Sequence, residues 1–210
     1  MGKSEYEKKR DFRLTGEPRG DAEKRRGGDH PIFVIQKHDA TTLHYDFRLE
    51  VAGQLASWAV PKGPSTDPRE KRLAIRTEDH PLAYAEFEGV IPEGAYGAGP
   101  VLIWDRGRYD NITEKNGRTV PIAAAIDDGH VLVRLHGKKL QGGYALQRMK
   151  EGKKKGAGRD DEQQWLLIKT DDAAADARRN PVSSQPKSVK SGRTITQIRA
   201  RARNGKGGPG

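Results

Sequence analysis

The chain has 210 residues, with 39 Lys and Arg against 29 Asp and Glu, 33% hydrophobic residues and no cysteine. Its length fits one ordinary domain with decorations, and the lack of cysteine excludes disulfides, thiolate metal sites and a Cys nucleophile, in keeping with a reducing cytosol. No window approaches the ~18 consecutive apolar residues of a membrane span, and the start, MGKSEYEKKRDF, has no apolar signal core, so a soluble intracellular protein without a membrane partner is expected.

Residues 1–30 hold 9 Lys/Arg and 7 Asp/Glu without sustained periodicity, and RRGGDHP closes them with turn signals at Gly27, Gly28 and Pro31. This segment reads as a flexible N-terminal arm. From Ile32 the character changes: IFVIQKH, LHYDFRLEV, QLASWAV, RLAIRT, YAEFEGV, PVLIWDRG, HVLVRLHG, GYALQRM and QWLLIKT are short β-prone runs bounded by Gly, Pro, Asn or Asp. Many short strands predict a mainly β domain over residues 31–171, a barrel or a sandwich. VAGQ between two runs predicts a tight hairpin with Gly53 at positive φ, and Thr119–Asp127 is the candidate for a short flanking helix. Residues 172–210 lose the pattern and hold 9 Lys/Arg against 2 Asp/Glu, so they carry +7 of the net +10. They read as a disordered, basic, low-complexity tail suited to attracting phosphate backbones. The barrel segment itself is nearly neutral, so any anion specificity there must come from a few placed cations.

One run stands out. In a strand, residues two apart share a face, so LHYDFRLEV puts His44, Asp46, Arg48 and Glu50 on one side and Tyr45, Phe47, Leu49 and Val51 on the other. The second set is core. The first is either the solvated face of an antiparallel sheet or a site, and His38, six residues upstream across DATT, can fold back to join it. Two imidazoles and a carboxylate with open positions suit Mn²⁺, Fe²⁺, Co²⁺ or Zn²⁺. Arg48 beside a cation is repulsive unless an anion such as phosphate bridges them.

His80, held extended before Pro81, is a candidate general acid or a donor to a transferring phosphoryl group, or else an ordinary surface-loop histidine. Tyr84 either hydrogen-bonds in the same pocket or caps the core. PEGAYGAG lacks the Lys and helix of a phosphate loop and reads as turns. Lys62, Arg72 and Arg76 are surface cations or, if they rim the cleft, contacts to a nucleic-acid backbone. His130 and His136 read as structural.

The collinear blocks YEKKRDFRLTGEP, FVIQKHDATTLHYDFRLE, SWAVPKGPS, RLAIRTEDHPLAYAEFEG, IPEGAYGAG, VLIWDRG, RLHGKKLQGGYAL and WLLIK resemble the 3′-phosphoesterase module of bacterial and archaeal DNA ligase D, over roughly residues 4–171. The resemblance implies a compact, closed or nearly closed β-barrel that uses Mn²⁺, or Co²⁺ or Zn²⁺ in its place, at DNA or DNA/RNA primer-template 3′ ends. It implies removal of a 3′-terminal ribonucleoside by phosphodiester cleavage, then hydrolysis of the 3′-phosphate to a 3′-OH for end joining. By position, His38, His44 and Asp46 correspond to metal ligands, and Arg48 and His80 to phosphate-binding and transition-state groups. Tyr84, Gln36, Lys62 and Arg72 match further active-site positions, and Arg10, Asp11 and Glu17 place functional residues in the arm. No polymerase or ligase module is expected in a stand-alone member, which leaves sealing to a partner; a separate DNA ligase or polymerase and end-binding repair proteins are the expected partners, with a cytoplasmic, nucleoid-associated location.

Two other readings use the same residues. H-x-D with a distant third ligand, His130 or His136, is also the facial triad of non-haem Fe(II) oxygenases, and a β-barrel can bind single strands through its basic tail and aromatics without catalysis. The phosphoesterase reading predicts that His44→Ala and Arg48→Ala fold normally yet lose turnover.

Overall fold

The strand runs form because apolar and polar residues alternate across them, one face turning inward and the other outward. The computed structural model describes residues 4–19, 30–149 and 164–204. Among these, the strands are β1 (Ile32–Asp39), β2 (Leu43–Val51), β3 (Gln54–Val60), β4 (Lys71–Pro81), β5 (Gly89–Ile91), β6 (Gly99–Asn111), β7 (Glu114–Lys115), β8 (Arg118–Thr119), β9 (His130–Gly137), β10 (Gln141–Arg148) and β11 (Gln164–Lys169). Eight close into an antiparallel barrel in the order β1-β2-β3-β4-β11-β10-β9-β6, and β6 pairs back to β1. β5 adds to β6, and β7 and β8 form a separate small hairpin.

The β2–β3 turn has φ of 50° at Ala52 and 80° at Gly53, the two positive values of a type I′ hairpin, as expected from VAGQ. The flanking helix runs Ile122–Asp128, later than expected because Arg118 and Thr119 pair in β8 and Pro121 sits at the N-cap; Gly129 in the left-handed region ends it.

The barrel interior is filled by Phe33, Ile35, Phe47, Leu49, Trp58, Trp104, Tyr144, Leu146 and Trp165, among others, all buried. Trp58 and Trp165 meet edge to face with centroids 5.7 Å apart. A second apolar cluster lies on the outer face, where Val34 of β1, Leu55 of β3 and Ile103 of β6 are covered by Tyr6, Leu82, Tyr84 and Ala85.

Tyr6 belongs to the segment expected to be a flexible arm. Residues 4–19 instead pack on the barrel: Ser4 and Glu7 form a capping box for the short helix Glu5–Lys8, and the Tyr6 hydroxyl donates to the Pro18 carbonyl. The turn expected at Gly27 and Gly28 lies outside the described residues.

The tail expectation is corrected over residues 172–204. This stretch is a strap tied down by hydrogen bonds from the barrel to its backbone: the Trp104 indole donates to the Gln185 carbonyl at 2.9 Å, Lys139 Nζ to Gln185 and Lys187 carbonyls at 2.8 and 2.6 Å, and Thr66 Oγ1 to Asp176 and Arg179 carbonyls. It ends in a helix, Ile195–Asn204, that buries Ile198. Such ordering uses peptide carbonyls, which every composition supplies, and leaves no hydrophobic period. Residues 205–210 lie outside the described residues. No helix among the described residues is long and apolar enough to cross a membrane.

Candidate active site

The β1–β2 register sets His38 opposite His44 and Gln36 opposite Asp46, so the DATT turn brings the two imidazoles together as expected. Their ring centroids are 4.9 Å apart, and the ligating atoms of His38, His44 and Asp46 all lie within 4.8 Å of one another. Both His38 Nδ1 and His44 Nε2 stand 3.7 Å from Asp46 Oδ2.

The outer nitrogens fix the tautomers. His38 Nε2 lies 2.8 Å from the Gly97 carbonyl and His44 Nδ1 2.8 Å from the Thr42 carbonyl, and a carbonyl only accepts, so each of these nitrogens carries the proton. Each ring therefore presents its lone pair inward, toward the carboxylate. Three lone-pair donors facing one point repel unless a cation sits among them, and imidazoles oriented through backbone carbonyls are the usual second layer of a metal site. Burial works to raise the Asp46 pKa, but the Arg48 guanidinium holds it well below the ordinary carboxylate value. Burial pulls the His44 pKa down, and Asp46 with the Thr42 carbonyl outweighs it, so its proton affinity is raised. The donor set fits a divalent cation with open positions.

Arg48 follows on the same face and is buried. Nε donates to Gln36 Oε1 at 2.9 Å, Nη1 to Ser57 Oγ at 2.8 Å, and Nη2 stands 3.2 Å from Asp46 Oδ2. Gln36 is fixed in turn by donating to the Tyr84 and Phe87 carbonyls. One N–H on each terminal nitrogen of Arg48 has no partner among the described residues, which suits a planar, two-pronged contact with phosphate.

His80 is not a surface-loop histidine: it lies in β4, opposite Leu55, and is buried. Its Nδ1 stands 2.9 Å from the Glu78 carbonyl and Nε2 3.3 Å from Arg10 Nη2. Nδ1 thus carries the proton and Nε2 accepts. Burial, then the Arg48 and Arg10 cations, push its pKa well below 6.5, so the ring is neutral. Arg10 reaches in from the arm, with Nε 2.9 Å from Glu17 Oε1 and Nη1 3.2 Å from Glu78 Oε1. The Tyr84 hydroxyl also donates to Glu17 Oε1, at 3.1 Å, and burial followed by the Glu17 charge pushes its pKa well above 10.0.

These groups line a cleft of about 330 Å³ whose wall includes Arg10, His38, His44, Asp46, Arg48, Glu78, His80, Tyr84 and Tyr96. Of the residues singled out in the sequence, Gln36 and Glu17 support it from behind. Lys62, Arg72 and Asp11 do not line it: Lys62 is exposed beyond β3, Arg72 pairs with Glu70, and Asp11 is bound by Arg13. Ser57, Glu78, Gly97 and Tyr96 were not singled out; a serine beneath a guanidinium and a turn carbonyl on an imidazole leave no mark in sequence. His130 and His136 lie on β9, against Gln147 and Asp110, so the third inward donor is His38 and the oxygenase triad is not assembled. A larger groove, about 740 Å³ and lined by Arg106, Arg108, Glu86, Asp110 and Lys138 among others, lies away from these groups.

The family model of the DNA Ligase D 3′-phosphoesterase domain matches residues 36–148. The multifunctional non-homologous end joining protein LigD of Pseudomonas aeruginosa is 44% identical over 195 residues, covering 91% of this chain and 21% of that protein. The multifunctional non-homologous end joining DNA repair protein LigD of Mycobacterium tuberculosis is 51% identical over 146 residues, 68% of this chain and 18% of that protein. The chain spans about a fifth of the length of these relatives.

Proposed function

Because the chain belongs to the DNA ligase D 3′-phosphoesterase domain family, we propose that it is a metal-dependent hydrolase of DNA 3′ ends in end-joining repair. Its substrates in this reading are primer-template ends bearing a terminal ribonucleoside, removed by phosphodiester cleavage, or a 3′-phosphate, removed as a monoester to leave a ligatable 3′-OH. The observation that carries the reading is the convergence of His38, His44 and Asp46 beside Arg48 in one covered cleft.

His38 Nδ1, His44 Nε2 and Asp46 Oδ2 would hold the cation, Mn²⁺ in our reading with Co²⁺ or Zn²⁺ in its place. When bound it supplies Lewis-acid polarisation of a phosphate oxygen and lowers the pKa of water. Arg48 directs its two unassigned N–H groups at other phosphate oxygens, so its hydrogen bonds strengthen as charge builds there. Gln36 and Ser57 hold that guanidinium in place. Arg10 adds a second cation beside His80. With Nδ1 protonated and the Nε2 lone pair accepting from Arg10 Nη2, His80 has no proton to give at Nε2; we therefore assign it holding the Arg10 guanidinium in the cleft rather than donation to the leaving oxygen. Tyr84 stays a phenol, bracing Glu17 and presenting its ring to Arg48 at 5.1 Å. The unit that carries this activity is the barrel of residues 31–171 together with the arm. A ligase would seal the product.

The test is a Mn²⁺-dependent assay on a labelled primer-template ending in one ribonucleotide, beside the same duplex ending in 3′-phosphate. Conversion of both to a 3′-OH end, lost in His44→Ala, is expected. Action on the phosphate alone would restrict the enzyme to monoesters, and DNA binding without action on either end would favour a non-catalytic binding module.

A further inference from the structure

The turn between β5 and β6 displays an aromatic ring that neither the core nor the mechanism uses. Tyr96 is 54% exposed, whereas the other tyrosines of the described residues are buried in the two apolar clusters. The turn beneath it is fixed. Gly94 and Gly97 take φ of 84° and 74°, Ala95 N–H donates to the Pro92 carbonyl and Ala98 N–H to the Ala95 carbonyl, and the Gly97 carbonyl accepts from His38. A Cβ added at Gly97 would stand 3.4 Å from the His38 ring. The ring of Tyr96 is thereby placed one residue from a group that orients a candidate metal ligand, on the wall of the same cleft. Two cations attend it: Lys9 Nζ is 5.2 Å and the Arg10 guanidinium 5.7 Å from its centroid. A half-exposed aromatic ring with cations over it, at the mouth of a cleft suited to phosphate, is the arrangement by which proteins stack bases of unpaired strands, and it tolerates sequence because every base has a π-face.

We propose that Tyr96 is the stacking platform for the nucleobase of the terminal nucleotide whose 3′-phosphate enters the cleft. This rests on the 3′-phosphoesterase reading and adds to it a nucleobase subsite, with Lys9 beside the backbone of the same nucleotide. The cleft, at about 330 Å³, has room for the phosphate and sugar, and the base leaves toward solvent, where Tyr96 meets it. Binding there is independent of base identity and depends on a base being present.

The experiment measures kcat and KM of wild type, Tyr96→Ala and Tyr96→Trp on two primer-templates ending in 3′-phosphate, one with thymidine and one with an abasic tetrahydrofuran residue as the terminal nucleotide. Tyr96→Ala should raise KM on the thymidine end about tenfold to a hundredfold, with kcat changed far less, and leave KM on the abasic end at the wild-type value. Tyr96→Trp should keep or lower KM on the thymidine end. Unchanged melting of all three proteins is expected because the side chain is exposed. Equal effects of Tyr96→Ala on both ends, or none on either, would overturn the subsite while leaving the phosphoesterase reading intact. No turnover of either end by wild type would overturn that reading, and the subsite with it.

Discussion

The two faces of the β1–β2 hairpin are both buried, by different means. Inward, Phe33, Ile35, Phe47 and Leu49 meet the opposite wall of a closed barrel, and burial follows from closure alone. Outward, Gln36, His38, Asp46 and Arg48 would face water but for the arm and the 82–86 turn that roof them. The inner face is held by area and shape, the outer by partners: each polar group there is placed by a hydrogen bond to another. Removing an inner side chain should therefore cost stability and leave chemistry to fail with the fold, whereas removing an outer one should cost chemistry first.

The largest effect is expected inside. Phe47→Ala should lose about 3–5 kcal/mol of unfolding free energy, measured by urea titration; a loss under about 1 kcal/mol would mean that the interior is not the main source of stability. Next comes the outer face. His44→Ala should lower turnover by roughly three orders of magnitude, read in the 3′-end assay, while its melting temperature without metal stays near wild type, since it relieves the crowding of lone pairs. Arg48→Ala is a different case. Its guanidinium is buried against Gln36, Ser57 and Asp46, so the expectation that it folds as wild type is revised: it should lose turnover and also about 1–3 kcal/mol of stability from the partners left unpaired.

A pH series sharpens the contrast. The His80 pKa is held well below 6.5 in the folded chain, so between the folded value and 6.5 the unfolded chain binds the extra proton. From His44, whose pKa is raised, stability is lost as pH rises above about 6.5; from His80 it should fall as pH drops below about 6.5, by up to about 1.4 kcal/mol per unit. A cation in the cleft acts in the same direction. His80→Gln should flatten this limb in chelator-treated protein; an unchanged slope would show that His80 is not its source. Asp46, with its pKa depressed from 3.8, adds its own loss only at more acid pH. The smallest effect belongs to the surface: Arg199→Ala breaks an exposed pair with Asp39 and should change stability by less than about 1 kcal/mol.

His44, Asp46 and Arg48 were legible because a strand repeats every two residues, and His38 because a short turn must return the chain antiparallel. The barrel strands were legible for the same reason. What was hidden depends on partners distant in sequence. His80 resembled a loop residue until β3–β4 pairing buried it, and Ser57 and Glu78 are ordinary strand residues given roles only by Arg48 and Arg10. Gly97 lies in a stretch that signals only turns, and its carbonyl has no sequence signature. The arm and the strap escaped because their anchors, Tyr6, Pro181, Ser188 and Ile198, are spaced without period. Deleting residues after Asp172 would leave the Trp104 indole and the Lys139 ammonium without their carbonyl partners, so such a truncation perturbs the barrel itself.

The central claim is that His38, His44 and Asp46 form a cation site on the roofed outer face. Mn²⁺ titration of the chelator-treated protein, followed by loss of the free-ion electron paramagnetic resonance signal, tests it without reference to catalysis. The account predicts one ion bound per wild-type chain, with a rise in melting temperature, and neither in Asp46→Asn or His44→Ala. Equal Mn²⁺ binding by wild type and both variants would contradict it.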